Sequence, residues 1–204
     1  MSSSRRTQAA RSAATRDALI GAARPLFAAR GFRGVGTEEI VRTAGVTRGA
    51  LYHQFDDKTE LFAAVFEAVE AELTQRIDDV VSNAGSADPV ELMKIGAATW
   101  MLACTEPEVH RIVLVEAPAV LGYQRWREVG LRYGLGLVQS LLSYAMEVGA
   151  IRRQPTAPLA HVLIGALDEA ALYVAQAADQ QTALTEVTTV LNDLMIALAN
   201  SSGE

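Results

Sequence analysis

Residues 37–58, TEEIVRTAGVTRGALYHQFDDK, restrict the possible folds more than any other stretch of the chain. They read as two short helices joined by a tight turn. Thr37 is placed to cap the first helix, and Glu38 and Glu39 follow in its first turn, where acids complement the helix dipole. Ile40 and Ala44 share its inner face. Gly45 ends it, because glycine takes the left-handed conformation of a helix terminus without a steric penalty. Val46 fills the turn, and Thr47 is placed to cap a second helix whose inner side carries Leu51 and Phe55. Arg48, Gly49, Ala50, Tyr52, His53 and Gln54 are left mostly outside. A helix–turn–helix presents such a face to the major groove of DNA. An αα-corner with a solvated face has the same spacing.

Charge distribution bears on that choice. The chain has 204 residues and a net charge of −6, a balance that by itself argues against nucleic acid. Residues 1–60, however, hold ten Lys or Arg against six Asp or Glu, and the remainder holds eight against eighteen. A basic N-terminal part facing an anion, with an acidic remainder, fits this asymmetry.

Half of the residues are hydrophobic and only 6% are aromatic, and the Ala- and Leu-rich composition favours helices around a substantial core. Residues 1–14 are rich in Ser, Arg and Ala without an apolar period. They are expected to be a disordered basic arm, either a plain tail or a further contact to phosphate or minor groove. A first helix is predicted from about Thr15 to Arg30, kinked or weakened by Pro25, with Gly31 stopping it and Phe32 folding back. Residues 57–60, DKTE, have the form of a capping box opening a long helix to about Val81. Further helices are expected at about 89–104, 106–116 (broken by Pro118 and Gly122), 123–148, 158–178 and 183–199. The architecture read this way is all-α with about nine helices. It divides into a helix–turn–helix domain at 15–62 and a C-terminal helical domain at 63–204.

Several functional classes find no support. The residues three before His53, His110 and His161 are Ala50, Pro107 and Pro158, so the Glu-x-x-His of a di-iron bundle is missing. Phosphate loops, nucleophile elbows, zinc-protease motifs and cysteine pairs are not found, and an enzyme is not expected. No cofactor is implied. Cys104, the single cysteine, reads as a buried inert thiol in a reducing compartment. Without an apolar signal core or an apolar run near ~20 residues, the expected location is the cytoplasm, with no membrane partner.

Residues 15–66 closely resemble the DNA-binding domain of the TetR family of bacterial transcriptional regulators. The resemblance rests on Gly31-Phe32, Thr37, Gly49-Ala50-Leu51-Tyr52, Phe55, Lys58 and Leu61-Phe62, and covers about a quarter of the chain. It implies operator contacts by Thr37, Thr47, Gly49, Tyr52, His53, Gln54 and Lys58. Arg48 is the side chain best suited to read a guanine edge. The resemblance further implies a homodimer formed by the last two helices and a ligand cavity among the middle ones. Candidate cavity residues are Trp100, Met101, Cys104, Leu114, Tyr123, Trp126, Tyr133, Tyr144 and His161, which plain core packing also explains. Arg125 and Arg127 flank Trp126 as cavity or surface charges. The expected function is a repressor released from a palindromic double-stranded operator by a small organic ligand. The rivals are an activator, a regulator controlled by a protein partner, and a helical ligand carrier without a DNA role.

Overall fold

The computed structural model describes residues 2–200, with side chains for 8–199. Among the described residues there are nine helices and no strand: α1 (Ser2–Arg30), α2 (Thr37–Ala44), α3 (Arg48–Gln54), α4 (Lys58–Ser82), α5 (Pro89–Cys104), α6 (107–121), α7 (Tyr123–Glu147), α8 (Thr156–Gln176) and α9 (Gln180–Asn200). They group into two compact units. The first comprises the chain up to Val69 together with Pro107–Arg125, and the second Glu70–Glu106 together with the chain from Trp126 onward. The helices α4 and α7 each contribute residues to both.

The first unit is organised around aromatic packing. Phe27 of α1 and Phe62 of α4 meet edge to face at 5.3 Å, and Phe32 meets Phe62 the same way at 5.6 Å. Leu19, Ile40, Leu51, Leu61 and Phe66 complete this core without exposed surface. Gly31 closes α1 at φ +71°, a backbone conformation that favours glycine, and a Cβ there would displace the Glu116 carboxylate. Gly45 ends α2 in the left-handed region at φ 67°. Thr47 caps α3 by accepting the Ala50 N–H at 3.2 Å.

Three local expectations change here. Gly36, not Thr37, holds the cap position of α2, and Thr37 is its first helical residue. Residues 2–14, expected to be disordered, continue α1 toward its N-terminus; Met1 lies outside the described residues. Ala9, Ala10, Ala13 and Ala14 favour that helix, and Ser12 anchors it by accepting a hydrogen bond from Gln54 Nε2 at 2.8 Å. Helix α6 runs past Pro118 to Leu121. Its middle, His110–Glu116, is π-helical, and the Ala117 N–H reaches back to Ile112 O. The register has thus already shifted when Pro118, lacking an N–H, arrives. Gly122 at φ +81° then ends the helix.

In the second unit, Asp88 caps α5 by accepting the Val90 N–H at 2.9 Å, and Pro89 takes the first helical position. Gly96 of α5 faces α4, where a Cβ would lie 3.4 Å from Val81 Cγ2. Met93, Ala97, Leu142, Ala145, Ile151, Ala160 and Met195 form a buried cluster. The apolar residues of α9 divide between two faces: Leu191 and Met195 turn into this unit, whereas Val190 and Leu194 are exposed. On α8, Val162 and Tyr173 are exposed likewise. Residues Thr156–Gln176 and Gln180–Ala199 are long and apolar enough to cross a membrane by length and composition alone, and most of each is not buried within the chain. The expectation that no apolar stretch approaches that length was too strict.

Candidate nucleic-acid interface and cavity

The outer face of α3 collects Arg48, Gly49, Tyr52 and His53, all exposed. The Arg48 guanidinium carbon lies 5.6 Å from the Tyr52 ring centroid, and its Nη1 is 3.8 Å from Glu38 Oε1. Both members of that ion pair are well exposed, so water and salt hold it weakly and the guanidinium is available to another anion. A Cβ on Gly49 would meet nothing closer than Thr47 Oγ1 at 3.9 Å. Nothing inside the protein requires glycine at that position. Thr47 is exposed at the start of α3, and Thr37 is half-buried at the start of α2.

Two expected DNA-facing residues are tied inward. Gln54 is half-buried and donates to Ser12, as described above. Lys58 Nζ donates to the carbonyls of Phe32 at 2.9 Å and Val35 at 3.0 Å, and lies 4.1 Å from the Phe32 ring centroid. Two of its three N–H donors therefore bind the loop between α1 and α2. The capping box at the start of α4 is half made: Asp57 Oδ1 accepts the Glu60 N–H at 2.9 Å. The Glu60 carboxylate instead binds Arg125, which holds its carboxyl below the usual range.

The second unit holds a cavity of about 110 Å³. Trp100 and Gly96 of α5, Trp126 of α7, Ile164 and Leu167 of α8, and Met195 of α9 are among its walls. Gly130 and Gly134 hollow out α7, since a Cβ on either would meet no atom within 4 Å. The Trp100 indole N–H points to Leu167 O at 3.4 Å, which fixes the ring against α8. Three ionisable groups line the same space: Glu70, Arg127 and Asp168. Arg127 Nη1 donates to Asp168 Oδ2, and its Nη2 donates to His161 O at 3.2 Å. Burial pushes the Asp168 carboxyl up to about 6 while Arg127 pulls the other way. Glu70 is 4% exposed, and burial, then the charge of Asp168, push it up to about 8.

Of the nine residues considered for a cavity, Trp100 and Trp126 line it. Met101 and Cys104 are buried outside its walls, and burial pushes the Cys104 thiol up. Leu114 is buried in the first unit, where Tyr123 is exposed. Tyr133 is half-buried but does not line the cavity. The Tyr144 hydroxyl donates to Ala87 O at 2.9 Å. The His161 side chain is exposed, and only its carbonyl reaches Arg127. Neither Arg125 nor Arg127 is a loose surface charge. Glu70 escaped the sequence reading because it falls in a helix with Glu60, Glu67 and Glu72, and nothing in the pattern singles it out.

Comparison with known proteins agrees with this architecture. Residues 19–65 match the family described as bacterial regulatory proteins, tetR family, and residues 90–198 match the tetracyclin repressor-like C-terminal domain. The transposon Tn10 TetC protein of Escherichia coli is 24% identical over 155 residues, covering 74% of this chain and 75% of TetC. A TetR-family regulator from Pectobacterium atrosepticum is 30% identical, with a TM-score of 0.82, covering 93% of this chain and 96% of that one. RolR, solved in complex with the ligand resorcinol, shares the fold with a TM-score of 0.72 at 20% identity, covering 96% of each chain. With both of its regions matched and the helix–turn–helix in place, the chain belongs to the TetR family of transcriptional regulators.

Proposed function

We propose that this regulator is a homodimeric repressor that leaves a palindromic operator when a small organic molecule fills the cavity of its second unit. The observation that carries the reading is the cavity itself: it is mostly apolar, and Glu70 of α4 and Trp126 of α7 stand in its wall. Those two helices also supply residues to the helix–turn–helix unit. A ligand that favours one arrangement of α4 and α7 therefore acts on helices whose first turns belong to the unit that carries α3. It must bind the DNA-incompetent state better, since equal affinity shifts nothing.

Arg48, Gly49, Tyr52 and His53 form the face presented to the groove, with Thr37 and Thr47 offering hydroxyls and free N–H groups to phosphate. Two such faces at a fixed spacing read a palindrome. The exposed Val162, Tyr173, Val190 and Leu194 of α8 and α9 supply an apolar face for the second copy. Both helices carry adjacent or nearby acids (Asp168 and Glu169, Glu186 and Asp193), which favours a covered interface over a bilayer. RolR with resorcinol is an example of this fold holding a one-ring ligand. On this reading the chain works in the cytoplasm by binding, without catalysis.

The test is selection of genomic duplexes by the purified protein, followed by transcription from the recovered promoter with and without it. A palindromic site, repression by the protein, and relief by a compound that binds it are the expected results. Binding without sequence preference, or increased transcription, would overturn the repressor reading.

A further inference from the structure

The most unusual group in the cavity is Glu70. It is nearly completely buried and faces a space whose other walls are mostly apolar and aromatic, apart from Thr74 and the paired Arg127 and Asp168. No hydrogen bond or ion pair to its carboxyl is present among the described residues. The other two charges of the lining neutralise each other, because Arg127 is committed to Asp168. Any surplus charge in the cavity is therefore that of Glu70. An anionic ligand would compete with Asp168 for Arg127 and would meet the Glu70 carboxyl in the same space. A cation avoids both.

We propose that the cavity takes a small organic cation, with Glu70 as its counter-ion and the Trp100 and Trp126 rings as its aromatic walls. Indole faces attract cations, most strongly where water is excluded. A volume of about 110 Å³ accommodates about the bulk of one ring with a short substituent. This inference rests on the reading of the cavity as the effector site.

The empty and filled states differ by a proton. In the empty cavity burial keeps Glu70 protonated near neutral pH, its carboxyl titrating at about 8. A cation favours the carboxylate, so the neutral acid and the cation give an ion pair and one proton released to solvent. Affinity then rises about tenfold per pH unit up to about 8 and levels off above it. The groups facing Glu70 from other helices are Asp168 on α8, its partner Arg127 on α7, and Cys104 on α5. Asp168 titrates lower, at about 6, and the Cys104 thiol is pushed up, so Glu70 is the group of this cluster that titrates mainly between 6.5 and 8.5.

The experiment is titration calorimetry on the full-length protein without DNA. The probes are tetramethylammonium and benzyltrimethylammonium, whose charges do not change with pH, and neopentylbenzene, the neutral isostere of the second. We expect benzyltrimethylammonium to bind roughly twentyfold tighter at pH 8.5 than at pH 6.5, with proton release visible as a buffer-dependent heat at pH 7. Glu70→Gln, isosteric with the protonated acid, should keep the fold, abolish the pH dependence and weaken cation binding at least about tenfold. Neopentylbenzene should bind the two proteins alike. Equal affinity for cation and isostere, pH-independent binding, or no binding of either cation would overturn the proposal. A cation that binds as expected yet leaves operator affinity unchanged would refute only the effector reading. Operator release by a neutral compound alone would refute only the cation.

Discussion

Arg125 points both terminal nitrogens of its guanidinium at the Glu60 carboxylate, Nη1 to Oε1 at 2.6 Å and Nη2 to Oε2 at 2.8 Å. Glu60 stands in the first turn of α4 and Arg125 in the first turn of α7. Ten residues further along α4 comes Glu70, and directly after Arg125 come Trp126 and Arg127, all three in the cavity wall. One bidentate pair thus joins the beginnings of two helices that continue into the cavity. Both partners are more than a third exposed, so solvent screening leaves the pair only about 0.5–1 kcal/mol of stability. Its expected role is in coupling. Arg125→Met should leave ligand affinity without DNA, and operator affinity without ligand, within about threefold of wild type. It should shrink the factor by which each weakens the other, expected at ~10- to 100-fold in the wild type. A full coupling factor in the variant would remove this pair from the switch.

Lys58 separates two ways of losing DNA binding. Its ammonium secures the Phe32 and Val35 carbonyls and caps the Phe32 ring. Lys58→Met should lower the stability of the first unit by about 1–3 kcal/mol through two unsatisfied carbonyls. Operator affinity should fall for all sequences alike. The slope of log affinity against log salt should stay the same, because a lysine occupied inside neutralises no phosphate. A slope reduced by about one unit would instead place the ammonium on the DNA backbone.

Gly49 makes the opposite prediction. A methyl group there meets open space, and alanine is the better helix former by up to ~1 kcal/mol. Gly49→Ala should therefore leave thermal stability unchanged or raise it, while operator affinity drops at least about tenfold because the methyl group stands between α3 and the duplex. Unimpaired operator binding by the variant would show that α3 does not approach DNA at this residue.

These contrasts show what the sequence made legible. Several helix boundaries were readable from local rules, Gly45 and Gly31 at left-handed termini, Thr47 as a cap and a helix start at 89, whereas Thr37 as a cap and Pro118 as a breaker misplaced theirs. The all-α class and the helix–turn–helix followed from those rules and apolar spacing. Long-range partners were not readable. Gln54 meets Ser12 across 42 residues, Lys58 meets Val35 across 23, and Arg127 meets Asp168 across 41. Of the residues proposed for the cavity, Trp100 and Trp126 line it, whereas Met101, Cys104, Leu114, Tyr123, Tyr133, Tyr144 and His161 do not. Its legible trace was Gly130 and Gly134, four residues apart on one face of a long helix, where absent side chains leave room. The Ala-rich start of α1 was misjudged because composition alone hides the anchor that Ser12 gives it.

The divided faces of α9 allow a clean test of assembly. Leu191 is buried within its own chain and Leu194 is 52% exposed. Leu191→Glu should unfold the second unit, so its failure to dimerise would say nothing about the interface. Leu194→Glu should keep helicity and melting behaviour of the monomer while sedimentation shows dissociation, and operator affinity should fall with it. If the Leu194→Glu protein still sediments as a dimer, α9 does not form the centre of the interface.

Stability should fall as the solution becomes alkaline, and Glu70 should be the main reason. Its folded carboxyl titrates at about 8, against 4.5 for the ordinary group. Between those values the folded protein holds a proton that the unfolded chain has released, so folding is favoured at low pH and weakens as pH rises. The loss is complete above about 8 and is on the order of 5 kcal/mol, taking each pH unit as about 1.4. Asp168 acts in the same direction but lower, between 3.8 and about 6. Glu60 acts oppositely: its lowered carboxyl contributes stability that is present above the ordinary 4.5 and lost below it. The interval from pH 6 to 8 therefore belongs to Glu70. Urea midpoints at fixed protein concentration should decline across it in the wild type and stay level in Glu70→Gln, whose amide cannot ionise. The variant should consequently be the more stable protein at pH 8.5 despite a substitution in its interior. Parallel curves for the two proteins would mean that water or a neighbouring group already satisfies the Glu70 carboxylate, and the uncompensated buried charge would be withdrawn.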